Sequence, residues 1–153
     1  METKDDTAAP TAARMAAGVV LALSAMCIGC APGGRFVEVE SKDQFKAMVL
    51  DAPRPVMVVF YNIGCIACVV EAPTLTSISD AWGDRAGFVK ISAFMTDLRE
   101  ICGVNAYPAV IIFKDGQMVR RVLARGYDRD ELEQMLSAAA SDPRRAAAGA
   151  RAR

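Results

Sequence analysis

A chain of 153 residues carries 18 basic and 18 acidic side chains, five cysteines and no histidine. Zero net charge removes the electrostatic case for a nucleic-acid partner, and the lack of histidine excludes Cys–His dyads and imidazole-ligated metals. The length supports one domain of about 100 residues with extensions, and the cysteines are too unevenly spaced to staple a disulfide-rich mini-fold.

Residues 1–14 are polar and of mixed charge. Met15–Ala31 is an uncharged run of apolar and small residues, near the roughly 17-residue minimum for a spanning helix and long enough for the core of an export signal. It closes on Ile28-Gly29-Cys30, and Pro32-Gly33-Gly34 reads as a short linker. The run resembles a bacterial lipoprotein signal, in which a cysteine after small residues is lipidated; Cys30 takes that place, and Cys27 stands where the pattern usually has leucine. An otherwise cleaved or uncleaved export signal and a buried apolar helix are the alternatives. Residues 1–34 are thus read as signal or anchor plus linker, residues 35–140 as the domain, and residues 141–153, rich in Arg and Ala, as a disordered tail.

Within the domain, Phe36–Val39 alternates like a short strand. Ser41 and Gln44 form a capping-box pair before Phe45–Leu50, which predicts the first helix, ended by Pro53 and Pro55. The apolar, β-branched run Val56–Tyr61 predicts a strand buried on both faces. Asn62-Ile63-Gly64 breaks it, and Cys65-Ile66-Ala67-Cys68 opens a helix that should reach about Trp82, kinked at Pro73. A strand over Phe88–Ile91 and a short helix over Asp97–Cys102 follow. Ala109–Phe113 is a second buried strand, returned by an Asp115-Gly116 hairpin turn onto Met118–Ala124. Asp128-Arg129-Asp130-Glu131 starts the last helix, to about Ala139.

The order strand, turn, CxxC, helix puts Cys65 at a helix N-terminus, where unpaired N–H groups and the dipole favour an anion. Its thiol should ionise more easily than a free one. Cys68 lies one turn further on the same face, so it can attack a mixed disulfide formed at Cys65, as thiol–disulfide exchange requires. A permanent structural disulfide is one alternative. A Cys₄ metal site that adds Cys27 and Cys30 is another. Cys102 reads as a buried small hydrophobe or as a regulatory thiol.

From Phe36 to Ala139 the chain resembles the thioredoxin family. The resemblance rests on the CxxC after a strand, Pro73 inside the next helix, and Tyr107-Pro108 before the strand, Asp-Gly turn, strand and helix of the ending. It implies an α/β fold with a central mixed β-sheet flanked by helices on both faces, and a redox-active Cys65–Cys68 disulfide. It also implies a cis Pro108 packed near the sulfurs, with the backbone of Tyr107 pairing to the substrate, and it makes Lys90 a supporting charge near the active-site end of the sheet. Three departures stand out. Gly64 replaces the family's usual tryptophan, Ile66-Ala67 its usual Gly-Pro, and Val59 a buried aspartate held to help deprotonate the resolving thiol. The apolar dipeptide adds no positive charge, which points to a reductant rather than a strong oxidant. The expectation is a monomeric, membrane-tethered, extracytoplasmic thiol–disulfide oxidoreductase. It would act on protein thiols and disulfides, draw on a separate electron donor or acceptor, and need no cofactor, metal or nucleic acid. A non-catalytic module that holds client peptides in the Tyr107-Pro108 groove is the alternative.

Overall fold

Five strands form one mixed sheet in the order β1-β3-β2-β4-β5. A computed structural model describes residues 35–123 and 126–141. The strands are β1 (Val37–Glu38), β2 (Val56–Tyr61), β3 (Gly87–Ser92), β4 (Ala109–Lys114) and β5 (Gln117–Leu123). Both β1 and β2 run parallel to β3, whereas β4 is antiparallel to β2 and to β5. The central strand β2 is buried from Val56 to Phe60, which explains its unbroken apolar run. Alternation of side chains then sorts each strand between two cores.

One core holds Val58, Phe60, Val89, Ile91 and Ile111, covered by Phe45 and Val49 and by the short helix α3 (Thr96–Ile101) through Leu98. The other holds Met57, Val59, Phe88, Val110 and Ile112. It is covered by α2 (Ile66–Trp82) through Leu75, Ile78 and Trp82, and by α4 (Arg129–Ser141) through Leu132 and Leu136. Helices therefore flank both faces of the sheet.

The first helical segment departs from the expected single helix. Only Lys42–Phe45, α1, is α-helical; Lys46–Leu50 widens into a π turn in which the Asp51 N–H reaches the Lys46 carbonyl at 2.9 Å. Ser41 caps it as expected, accepting the Gln44 N–H at 3.1 Å, while Gln44 accepts from the Glu40 N–H at 2.8 Å instead of from Ser41. The β4–β5 turn has positive φ at both Asp115 (51°) and Gly116 (73°), the twist that two-residue hairpins need. Helix α4 extends to Ser141. Ser141, the first residue of the tail read over residues 141–153, is thus helical; the rest of that tail and the segment read over residues 1–34 lie outside the described residues. Among the described residues no helix is long and apolar enough to cross a membrane.

Candidate active site

The end of β2 leads directly to the sulfurs. The Cys65 N–H donates to the Asn62 carbonyl at 3.2 Å, closing a four-residue turn with Gly64 in third place at φ 78°. That place in such a turn asks for a positive φ, hence glycine. Here lies a physical reason for glycine where the resembled family has tryptophan. Cys65 is the N-cap of α2, with extended backbone, and the Cys68 N–H donates to Cys65 Sγ at 3.2 Å. No acidic residue occupies the first turn of α2, so nothing there offsets the positive end of the helix dipole. Cys65 and Cys68 form a disulfide with Cα atoms 5.3 Å apart, and both cysteines are half-buried. In the reduced protein the same N–H and dipole would favour a thiolate at Cys65.

Pro108 is buried, and the Tyr107–Pro108 peptide is cis. Pro108 shares a hollow of about 190 Å³ with Cys68, Val59, Leu75 and Lys90. The Tyr107 side chain packs inward against the core that contains Ile111 and Leu98, and its hydroxyl is buried without a partner among the described residues. Tyr127 was not singled out by sequence. Its side chain is buried, and its hydroxyl donates to the Pro108 carbonyl at 2.7 Å. Glu71, one turn beyond Cys68 on α2, accepts the Tyr127 N–H at 3.2 Å. A tyrosine between β5 and α4 thus ties the Pro108 loop to the helix of the sulfurs.

Lys90 lies on β3 in register with Val59 of β2 and with Glu38 of β1. It borders both the 190 Å³ hollow and a second one of about 340 Å³ lined by Tyr61, Gly64, Cys65 and Cys68. Its Nζ lies 3.2 Å from Glu38 Oε2, and the Tyr61 hydroxyl donates to Glu38 Oε1 at 2.5 Å. The Tyr61 hydrogen bond, helped by Lys90, holds the Glu38 carboxyl below the ordinary carboxylate range despite partial burial; the same bond, with burial, raises the Tyr61 hydroxyl. Sequence reading placed Lys90 near the site but missed Glu38 and Tyr61, since only sheet pairing brings them together.

Among the described residues Cys102 is the free cysteine, buried and packed with Leu98 and Val104. Burial pushes its thiol up to about 11, against the opposing charge of Arg121. Among the described residues no group of three or more Cys, Asp or Glu could hold a metal ion. Cys27 and Cys30, invoked for a metal site and for lipidation, lie outside the described residues. A wider hollow of about 640 Å³, lined by Arg120, Arg121, Glu131 and Gln134, is bordered by no cysteine.

Paired sulfurs at the start of a helix on this mixed sheet define a thiol–disulfide oxidoreductase. The thioredoxin family model matches residues 36–138, and the chain belongs to the thioredoxin family. It is 32% identical over 78 residues to thioredoxin C-2 of Corynebacterium nephridii, covering 50% of this chain and 72% of the relative. It is 27% identical over 102 residues to the thioredoxin of Peptoclostridium acidaminophilum, covering 66% and 92%. The structure of Malassezia sympodialis thioredoxin (Mala s 13) superposes with a TM-score of 0.63 at 26% identity, covering 75% of this chain and 99% of that one.

Proposed function

We propose that this protein is a monomeric, extracytoplasmic protein-disulfide reductase, tethered to a membrane through the apolar run Met15–Ala31 or a lipid on Cys30. The carrying observation is the half-buried sulfur pair at the start of α2, rimmed by apolar side chains that face solvent. Ile63 is 72% exposed, Ile66 79% and Val69 72%. Isolated exposed apolar residues are ordinary, but a cluster around a reactive group suits contact with a protein substrate.

In the reduced protein the Cys65 thiolate attacks one sulfur of a substrate disulfide. A Cys65–substrate bond forms, and the other substrate sulfur leaves as a thiolate that takes a proton from water. Cys68, once deprotonated, attacks Cys65 Sγ; the internal disulfide forms and the second substrate sulfur departs. Two electrons have passed to the substrate. During the exchange the Tyr107 backbone pairs with the extended substrate chain beside Pro108. A separate thiol donor then returns the pair to the dithiol. The tether reading is supported by the composition of residues 15–31 and by the small residues around Cys30.

The test is a Cys68→Ala variant exposed to extracts of extracytoplasmic proteins under non-reducing conditions. Trapped mixed disulfides on Cys65 are expected, with insulin reduction by the wild type. Wild-type protein inert toward insulin under every reductant would instead favour a binding module. A couple well above about −180 mV, the value for protein disulfide isomerase, would overturn the reductase direction. Mass spectrometry of membrane fractions should find a lipid on Cys30 or an uncleaved N-terminal segment; an unmodified soluble protein lacking both would remove the tether.

A further inference from the structure

Across the sheet, Glu38, Lys90 and Val59 stand side by side in one row, on β1, β3 and β2. Parity puts the row on the α2 face, because Val59 packs with Leu75 and Ile78 of that helix. Lys90 therefore sits between an aliphatic neighbour on the sulfur side and a carboxylate on the edge side. It borders both hollows that contain Cys68, so its charge, left unpaired, would face the sulfurs. Glu38 meets that charge at 3.2 Å, and Tyr61, whose ring centroid is 5.8 Å from Lys90 Nζ, holds the other carboxylate oxygen.

Other acidic groups on the surrounding elements are engaged or remote. Glu71 on α2 accepts the Tyr127 N–H. Asp97 at the start of α3 pairs with Lys42. Asp80 lies near the far end of α2 from Cys68, about 18 Å along the axis.

We propose that Glu38, held by Tyr61, sets the redox equilibrium of the Cys65/Cys68 pair by cancelling the charge that Lys90 would otherwise present to the thiolates. The inference rests on the oxidoreductase reading of the site. Reduction of the disulfide takes up two electrons and, with both sulfurs protonated, two protons. A bare cation nearby stabilises a sulfur as thiolate, hence the reduced state, and makes the couple more oxidising. A paired cation does so far less, and the couple stays a better electron donor. Glu38 and Tyr61 are positioning residues that act through Lys90. The lowered ionisation range of Glu38 keeps it anionic at neutral pH, as the pairing needs.

The experiment equilibrates full-length protein, in mild detergent, with glutathione redox buffers, two glutathiones giving one glutathione disulfide per pair reduced. The Cys65 thiol pKa is followed separately by the pH dependence of iodoacetamide alkylation of the reduced protein. Glu38→Gln should shift the equilibrium toward the dithiol about threefold, the size suited to a partly exposed charge, which is about 14 mV more oxidising. It should also lower the Cys65 pKa. In a Lys90→Gln background the same change should move neither by more than about 1.5-fold. An unchanged or more reducing Glu38→Gln couple, or the same shift without Lys90, overturns the inference. Wild-type protein that exchanges no electrons with glutathione would indict the oxidoreductase reading instead. The alkylation pKa still decides the electrostatic inference in that case, since an unshifted value in Glu38→Gln refutes it.

Discussion

Tyr127→Phe removes a single oxygen, and the structure states what that oxygen does. It donates to the Pro108 carbonyl at 2.7 Å from a side chain only 8% exposed. The phenylalanine ring keeps the packing against Leu132 and Leu136, while the buried carbonyl loses its donor. An unmet buried acceptor costs about 1–3 kcal/mol. In a domain of about 100 residues, each kcal/mol moves the midpoint about 4–8 °C. Urea denaturation followed by circular dichroism measures the loss, and calorimetry checks the midpoint. Tyr107→Phe is the matched control: that hydroxyl is buried without a partner among the described residues, so its removal should leave stability within about 0.5 kcal/mol of wild type or raise it. Equal losses in the two variants would refute the reasoning, since both delete one hydroxyl within the same region. A looser Pro108 loop should also raise KM for a protein disulfide in Tyr127→Phe more than it lowers kcat.

Cys102, with its thiol pushed up to about 11, should resist iodoacetamide below about pH 9 in the reduced native protein while Cys65 is alkylated; peptide mapping that finds the two labelled at equal rates rejects this. Gly116→Ala places a Cβ 3.0 Å from the Leu50 carbonyl oxygen at φ 73°, whereas Gly64→Ala at φ 78° meets open space. Both incur left-handed strain of about 1–2 kcal/mol, and urea midpoints should show the larger loss at Gly116. Because the Glu38 carboxyl ionises below its unfolded range, its contribution to stability is present above that range and fades as pH falls through the lowered value. Glu38→Gln should therefore be less stable than wild type at pH 7 and no different near pH 2; a gap that persists in acid would contradict the pairing.

Elements governed by short-range rules were legible in the sequence. The β-branched run of β2, the break at Asn62–Gly64 and the helix from Cys65 each follow from local chemistry, so the sequence alone places the sulfurs. Asp115-Gly116 announced its turn for the same reason. The π turn at Lys46–Leu50 escaped because an apolar helical pattern does not distinguish α from a single wider turn. Tyr127 escaped because it sits in a non-periodic stretch after Gly126, and its partner Pro108 is 19 residues away. Glu38 reads as the polar member of a short alternating strand, an ordinary place for a carboxylate.

The two kinds of information divide along the chemistry. Sulfur placement depends on one stretch of chain in which strand, turn and cap succeed one another. The surrounding field depends on sheet order, since β3 lies between β1 and β2 and so carries Lys90 to both Glu38 and the sulfur side. Val59 makes the consequence concrete. With an aliphatic side chain in the buried place beside Lys90, no carboxylate from β2 competes for the ammonium, and the edge strand supplies the counter-charge. A carboxylate at the edge is 39% exposed and open to solvent screening, so its influence on the sulfurs should weaken as salt rises. The Glu38→Gln shift in redox equilibrium should accordingly shrink between about 20 mM and 500 mM sodium chloride. A shift independent of salt would mean that the change acts through structure rather than through charge.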